Sequence, residues 1–418
     1  MNPDHIVAGL DIGSSKTTAV IAEVVGELPR HPGIKILGMG QARTAGMRRG
    51  VVSDIEETTR SIRQAMQDAE RMAGVKIDSV YAGIAGEHVR AMTSTGVVAV
   101  NGDEISKADV ERANEVARTQ AIPADRELLH AIPQEYRVDK NEGIRDPVGM
   151  IGMRLETEMY LVTIGASPAM NLRKSIERAG YKPRELVLEP LASALSVLTE
   201  DEKELGVALV EMGAATTDLA IFEEGKIRHL GTVNFGGYNV TNDIVHGLGL
   251  TQADAERLKE HLGCAYEPLV NTSEMIQLPS TVAQGDRHIP RELLAHIIHQ
   301  RMDEIYGLVE AEIAKAGYAG HLSAGVVLTG GAAAIEGAAE LAADVFGTGV
   351  RLGMPAEHVG GLSDAVESPR FATVVGLALY GASRLALNGA SSGRRMSMSP
   401  AGVDKLAHRV KTWLQDFF

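Results

Sequence analysis

The chain has 418 residues, of which 44% are hydrophobic and 23% charged, and its formal net charge is −14. This length exceeds what one small core needs and predicts two or more packed lobes in a soluble globular protein. The acidic balance argues against nucleic acid as a main partner, since phosphate backbones select basic surfaces. A single cysteine, Cys264, excludes an internal disulfide and suits a reducing compartment. We find no secretory leader and no apolar run of about 18 residues, so we expect a cytosolic protein.

The first motif is GLDIGSSKTT, which runs from Gly9 to Thr18. It has the small residues and the lysine of a phosphate loop, but a P-loop has four residues between its glycines and a glycine directly before the lysine. Here three residues separate Gly9 from Gly13, and Ser15 precedes Lys16. The following TTAVIAEV is β-branched and apolar, so the stretch predicts strand, turn and strand. P-loop and Rossmann sites both require a helix at this point and are excluded.

Strands and helices alternate along the next part of the chain. HIVAGLDIG, TTAVIAEV and IKILGMGQA predict three strands of one sheet. Ser106 predicts the N-cap of a helix with Asp109 in the capping-box position, and HAIPQEYRVDK and RLETEMYLVTIGA predict strands around that helix. An earlier helix is predicted in SDIEETTRSIRQAMQDAERMAG, where one face is formed by Ile55, Thr59, Ile62, Met66 and Ala69.

The chain also repeats its first motif. DIGSSKTT, which begins at Asp11, has a counterpart in EMGAATTD, which begins at Glu211, and a return strand follows each of them. Two such hairpins indicate a duplicated domain with one turn from each half. A third glycine turn, Gly330–Gly331, follows the apolar strand of GVVLTGGAAAIEG, and SPRFATVVGLALYGASRLAL predicts a closing helix.

Hairpins that face each other can hold a polyphosphate from both sides, because small residues let backbone N–H groups approach its oxygens. Asp11 and Glu211 begin the turns and could hold Mg²⁺ through water, and Lys16 could neutralise phosphate charge. The alternative makes each turn an ordinary hairpin and Lys16 a solvated surface charge. The predicted ATP-binding residues in the three turns are Gly13, Ser14, Ser15, Lys16, Gly213, Ala214, Ala215, Thr216, Thr217, Gly330, Gly331 and Ala332.

The order of phosphate turn, EPLASALSVL helix, second phosphate turn and LTGGAAAIEG turn resembles the actin–Hsp70–sugar-kinase superfamily. The resemblance implies that AERLKEHLGCA supplies an acid and a lysine to the adenosine, here Glu256 and Lys259; the alternative is a surface ion pair. HAIPQEYRVDKNEGIRDPVGMIGMRLE is similar to the extra subdomain of FtsA, an actin-like family of bacterial cell-division proteins. Relatives usually carry Asp-Ile-Gly-Gly-Gly-Thr in the second turn, where this chain has Glu211, Ala214 and Ala215.

The resemblance implies an α/β, two-lobed actin-like ATPase fold with duplicated ribonuclease H-like domains, an inserted α/β subdomain and a C-terminal amphipathic helix. We expect first-lobe core in 1–84, 163–203 and the closing helix 371–388, with the division-specific insertion at 85–162. The expected second-lobe and terminal segments are core in 204–236 and 316–370, an insertion at 237–315, a flexible linker at 389–401 and an amphipathic helix at 402–418.

The last stretch, GVDKLAHRVKTWLQDFF, predicts a helix with an apolar face and a basic face. Rings and positive charge at the end of an acidic protein favour a helix lying in a membrane surface over one docked on its own domain. The predicted membrane-binding residues are Val403, Leu406, Val410, Trp413, Leu414, Phe417 and Phe418 on the apolar face and Lys405, Arg409 and Lys411 on the basic face.

The resulting hypothesis is an ATP-binding protein, with Mg²⁺ as cofactor, that polymerises on the cytoplasmic face of the inner membrane at midcell. By the resemblance, its partners are the tubulin-like FtsZ, later cell-division proteins, further copies of itself and anionic lipid. No catalytic base is identified, so hydrolysis is left open and at most slow turnover is expected. The alternatives are a sugar or small-acid kinase and the related pilus-assembly ATP-binding protein.

Overall fold

The computed structural model describes residues 5–26, 32–119, 122–281, 285–355 and 358–392. The strands are, in chain order, β1 (Ile6–Ile12), β2 (Lys16–Val25), β3 (Gly33–Arg43), β4 (Met47–Arg48), β5 (Val51–Val52), β6 (Ser79–Ile84), β7 (Arg90–Ala99), β8 (Arg126–Val138), β9 (Asn141–Ile144), β10 (Arg154–Gly165), β11 (Lys182–Leu188), β12 (Val207–Met212), β13 (Thr217–Glu223), β14 (Lys226–Val233), β15 (Met275–Thr281), β16 (Gly285–Pro290), β17 (Val326–Thr329), β18 (Val350–Leu352) and β19 (Val359–Gly361). The helices are α1 (Ile55–Ala73), α2 (Lys107–Arg118), α3 (Ala166–Ala179), α4 (Glu189–Val197), α5 (Glu200–Leu205), α6 (Gly237–Leu248), α7 (Gln252–Leu262), α8 (Arg291–Lys315), α9 (Ala338–Phe346) and α10 (Ala372–Ser392).

The first-lobe sheet combines antiparallel and parallel strands in the order β11-β6-β1-β2-β3-β19. β1, β2 and β3 form an antiparallel meander, whereas β6 is parallel to β1 and β11 is parallel to β6. The predicted strand, turn and strand of the first motif is confirmed, with β1 and β2 paired from Ile6–Glu23 to Ile12–Thr17. No helix follows this turn, so the exclusion of a P-loop or Rossmann site holds.

The second-lobe sheet repeats this arrangement in the order β14-β13-β12-β17-β18. β12, β13 and β14 form the antiparallel meander, and β17 and β18 continue the sheet in parallel. Each of these five strands therefore has a counterpart in the first-lobe sheet. The two-lobed, duplicated α/β architecture predicted from the two hairpin motifs is confirmed.

Local sequence signals explain where the helices begin and end. The Asp54 side chain accepts a hydrogen bond from Glu57 N at the start of α1, and Gly74 ends the helix in the left-handed conformation. The predicted capping box of Ser106 and Asp109 begins α2. Packing follows the predicted apolar face, since Ile62, Met66 and Ala69 of α1 are fully buried against the first sheet.

Two helices occupy the junction between the lobes. α4 packs against the second sheet through Leu191, Ala194 and Val197 and also contacts α10. α10 returns from the second lobe and crosses β1, β2, β3 and β6 of the first sheet, so the predicted closing helix is confirmed. It extends to Ser392, and residues 389–392, which we expected to be linker, are therefore helical. The buried apolar face of the helix continues to Ala386, and no proline lies between Ala372 and Ser392.

An inserted subdomain separates β6 from α3. It is a four-stranded antiparallel sheet in the order β7-β10-β8-β9, with α2 packed on β7 and β10. The predicted strands around α2 are confirmed as β8 and β10. The subdomain also contacts the second lobe, where Arg145 forms an ion pair with Glu204 at 2.9 Å and Lys226 donates a hydrogen bond to the Gln134 carbonyl.

Candidate functional site

The two repeated hairpins meet in the cleft between the lobes. The first is closed by a hydrogen bond from Gly13 N to Lys16 O at 3.1 Å, and the second by one from Gly213 N to Thr216 O at 2.9 Å. The turns therefore have the same length and the same closing bond, even though the second carries alanines where the first carries serines. Both turns line a single pocket.

The N-terminus of α6 braces the second turn from below. Gly237 N donates to Gly213 O at 2.9 Å, and Tyr238 N donates to Ala214 O at 2.7 Å. The Tyr238 hydroxyl also reaches across the cleft and donates to Ser14 O at 3.1 Å. Tyr238 thus ties the first and second turns together, and sequence reasoning missed it because nothing local marks a tyrosine in the first turn of a helix as part of a site.

The third glycine turn closes the pocket from the second lobe. Gly330 has a φ of 89°, a conformation that favours glycine, and a Cβ built on it would lie 2.5 Å from Met212 O. Its N–H donates to Pro369 O at 3.1 Å. This turn can therefore lie directly against the end of β12, next to the second turn.

The predicted acid and lysine of α7 form an ion pair in this pocket, with the lysine buried and the glutamate partly exposed. Lys259 is only 6% exposed, and its Nζ lies 2.9 Å from Glu256 Oε2. The ammonium group also donates to Thr241 Oγ1 at 2.8 Å and to Gly237 O at 3.2 Å. These contacts contradict the alternative of a surface ion pair and place one fixed positive charge in the wall of the pocket.

Besides Glu256 and Glu260 of α7, four carboxylates from three segments of the chain line the same pocket. Asp11 and Glu211 were predicted there, and the structure adds Glu189, the first residue of α4, and Asp218 of β13. Asp218 is the residue paired with Glu211 across the second hairpin, so the repeat itself could have indicated it. Glu189 begins the EPLASALSVL segment, but a helix start gives no local signal that its acid faces a cleft.

Burial raises the pKa of each of these groups. Burial, with a smaller contribution from the charge of Glu211, raises the pKa of Asp11 to about 7. Burial raises the pKa of Glu211 to about 7 despite hydrogen bonds from Thr373 and Ser193. The pKa of Asp218 rises to about 6 and that of Glu189 rises well above its usual range, both mainly through burial. Burial, which disfavours the charged form of a carboxyl group, therefore outweighs the other influences on the pKa of these four acids.

The pocket brings together almost all of the predicted nucleotide and metal residues. Thr217 is the exception, because it is fully buried and its hydroxyl donates to Phe235 O at 2.9 Å. Thr216 belongs to the turn and lines the pocket, whereas Thr217 is the first residue of β13 and does not. The predicted residues that line the pocket are Asp11, Gly13, Ser14, Ser15, Lys16, Glu211, Gly213, Ala214, Ala215, Thr216, Glu256, Lys259, Gly330, Gly331 and Ala332.

Two further predictions concern the metal site and the membrane-binding helix. Within the part of the chain that the structure describes, no group of three or more histidine, cysteine or acidic side chains is placed to hold a metal ion directly. The predicted membrane-binding helix at 402–418 lies outside the described residues, and no helix among those described is long and apolar enough to cross a membrane.

The duplicated sheets, the facing hairpins and the inserted subdomain define an actin-like protein. The chain is similar to a solved structure of the PilM–PilN type IV pilus biogenesis complex, with a TM-score of 0.63 and 17% identity over 90% of this chain and 98% of that one. It is also similar to MreB5 of Spiroplasma citri bound to ADP, with a TM-score of 0.52 and 14% identity over 94% of this chain and 100% of that one. At these identities the likenesses establish the fold alone.

Sequence comparisons identify the family. The model of the cell division protein FtsA matches residues 208–376, and that of the SHS2 domain inserted in FtsA matches residues 86–163. FtsA of Pseudomonas aeruginosa PAO1 is 42% identical over 99% of this chain and 98% of its own length. FtsA of Escherichia coli K12 is 38% identical over 99% of this chain and 98% of its own length. The chain belongs to the FtsA family of cell-division proteins.

Proposed function

We propose that this cell-division protein binds Mg²⁺-ATP between its lobes. The phosphates would lie between the turns 13–16 and 213–216, with backbone N–H groups and Lys16 facing their oxygens. Glu256 and Lys259 would face the adenosine, and Gly330 and Gly331 would pass beneath it. The observation that carries the proposal is the convergence of three glycine turns from both halves of the chain on one pocket. The solved MreB5 structure is bound to ADP, which supports a nucleotide as the ligand of a protein with this fold.

The donor set of the pocket fits Mg²⁺ held through water. Carboxylate oxygen is the ligand type that this ion prefers, and it keeps several waters when it binds beside phosphates. Asp11 and Glu211 would orient those waters, and the bound ion would neutralise charge on both the acids and the phosphates. The raised pKa values of Asp11 and Glu211 are what uncompensated acids show, and a divalent cation would reverse that shift.

The second part of the proposal is that the protein polymerises and ties FtsZ to the cytoplasmic face of the inner membrane at midcell. Family membership supports the division role, and the amphipathic pattern at 402–418 supports a membrane-surface helix. By resemblance, FtsZ would bind the second-lobe insertion around 237–310, and later division proteins would be recruited to the polymer. Membership in this family also favours division over the kinase and pilus-assembly alternatives.

Magnitudes explain why polymerisation and membrane binding would reinforce each other. Each large apolar side chain contributes about 1.5–3 kcal/mol on full burial, and each basic residue about 1 kcal/mol near anionic lipid. The entropy lost when the helix becomes ordered offsets most of this gain. One copy therefore binds reversibly, whereas several copies joined in a polymer bind strongly.

Liposome flotation with anionic vesicles, with and without Mg²⁺-ATP and purified FtsZ, tests both parts. We expect the full chain to float and to carry FtsZ with it, whereas the chain that lacks 402–418 and the variant Trp413→Glu should stay at the bottom while folding normally. Trp413→Phe, which keeps an apolar ring, is the matched control and should still float. Unchanged flotation of the truncated chain would refute the anchor, and a sugar-dependent loss of ATP much faster than basal turnover would revive the kinase alternative.

A further inference from the structure

An acid from the second lobe already engages the lysine of the first phosphate turn. Lys16 begins β2, Glu260 lies in the last turn of α7, and Lys16 Nζ lies 3.4 Å from Glu260 Oε1. The contact therefore bridges the cleft. Both residues line the pocket, and their side chains are 43% and 39% exposed, so the pair stands at the mouth rather than at the base of the pocket.

The charges of α7 single out Glu260. The helix presents Glu256, Lys259 and Glu260 to the pocket. Lys259 compensates Glu256 at 2.9 Å and is fully occupied by that carboxylate, Thr241 and a carbonyl. Among the described residues, Lys16 is the cation that pairs with Glu260. A negative charge thus stands on the pocket wall, held by the lysine that a polyphosphate would need.

We propose that Glu260 stands in for phosphate in the nucleotide-free protein and thereby sets the affinity of the cleft for nucleoside polyphosphates. This inference rests on the proposed ATP site. An arriving polyphosphate offers Lys16 several negative charges in place of one, so Lys16 exchanges Glu260 for phosphate. Glu260 then remains at the mouth as an unpaired acid close to ligand of like charge. The lost pair and the new repulsion both lower the affinity.

The geometry of the pair favours exchange over a strap that closes above bound nucleotide. A charge-assisted N–H to carboxylate bond is normally about 2.7–2.9 Å long. At 3.4 Å and partly solvated, the Lys16–Glu260 contact is weak and easily replaced. The Tyr238 hydroxyl meanwhile holds Ser14 O from the same lobe as Glu260, so the first turn keeps its position while the lysine changes partner.

The variant Glu260→Gln tests the inference, with fluorescent ATP and ADP analogues and Mg²⁺ as probes in equilibrium titration and stopped-flow experiments on the full chain. We expect Glu260→Gln to bind both analogues about three- to tenfold more tightly, through faster association. Loss of the exposed ion pair changes the affinity a few-fold, and loss of the charge repulsion adds to this change. Glu310→Gln is the matched control, since it removes the same charge from an exposed position of α8 away from the pocket and should change nothing. Both variants should melt at the wild-type temperature.

Two results would overturn the inference while the ATP site stands. An unchanged association rate and affinity in Glu260→Gln would show that Glu260 does not compete for Lys16. Weaker binding with faster release would show that the pair closes over the nucleotide instead. A wild-type protein that binds neither analogue would refute the proposed ATP site itself and the role of Glu260 with it.

Discussion

Replacing Asp11 by asparagine should stabilise the metal-free protein at high pH while weakening its binding of Mg²⁺-ATP. Asp11 enters the cleft beside Glu211, and among the described residues no donor reaches its carboxylate. Burial raises its pKa from 3.8 to about 7. Asparagine has almost the same shape and no charge, so it removes the cost of the buried carboxylate and, with it, the oxygen that would orient Mg²⁺-bound water.

The sign of the effect follows from the protons that each state binds. Between pH 3.8 and about 7, the folded state keeps a proton on Asp11 that the unfolded state has lost, so the free energy of unfolding falls as pH rises through this window. The stabilisation that this bound proton provides is fully present below pH 3.8 and is lost above about pH 7. At about 1.4 kcal/mol per pKa unit, this shift can change the free energy of unfolding by at most about 4 kcal/mol. The cleft admits water to Asp11, so we expect about 2 kcal/mol.

Urea unfolding in EDTA at pH 4.5 and pH 8 measures this difference. Asp11→Asn and the wild type should unfold at nearly the same urea concentration at pH 4.5, and the variant at the higher concentration at pH 8. Adding Mg²⁺-ATP at pH 8 should then stabilise the wild type more than the variant. Asp103→Asn, an exposed change outside the pocket, should match the wild type at both pH values. A variant that is no more stable than the wild type at pH 8 in EDTA would refute the reasoning, because it would mean that a compensating charge already serves Asp11.

Two further predictions concern packing and the α7 wall. Lys259→Met should lower the free energy of unfolding by about 1–3 kcal/mol in urea titration and weaken ATP binding, because it removes the hydrogen bonds of a buried ammonium group and takes the cation from the partly exposed Glu256. Lys315→Met, which breaks an exposed pair of the same spacing in α8, should cost less than about 0.5 kcal/mol; equal losses would contradict this account. Gly376→Ala should yield little folded protein, since a Cβ there would lie 1.8 Å from the Ala192 carbonyl of α4, whereas Gly307→Ala, with no atom near its Cβ, should raise the melting temperature slightly. Normal expression and stability of Gly376→Ala would rule out the close approach of α10 to α4.

Elements governed by neighbouring residues could be predicted from the sequence. The first hairpin follows from glycine beside β-branched residues, and α2 follows from the capping box of Ser106 and Asp109. The duplication could be predicted because both halves carry the same short pattern in the same strand context. Even the second turn, where Ala214 and Ala215 depart from relatives, closes with the same hydrogen bond as the first.

Residues that meet only through the tertiary fold could not be predicted. Glu189, Tyr238 and Glu260 come from three different helices, α4, α6 and α7, and they line one pocket only in the folded chain. Periodicity indicates which face of a helix is buried, but it does not indicate which polar residue at the edge of that face borders a cleft. Thr217 shows the same limit, since it follows the pocket-lining Thr216 in the sequence but begins β13, where its hydroxyl donates to Phe235 O.

The most direct test of the account is a crystal structure of the protein grown with Mg²⁺ and a non-hydrolysable ATP analogue. We predict density for the triphosphate between the turns 13–16 and 213–216, with the nucleoside against Glu256, Lys259 and Gly330. A crevice that stays empty while the analogue occupies another surface would contradict the central claim.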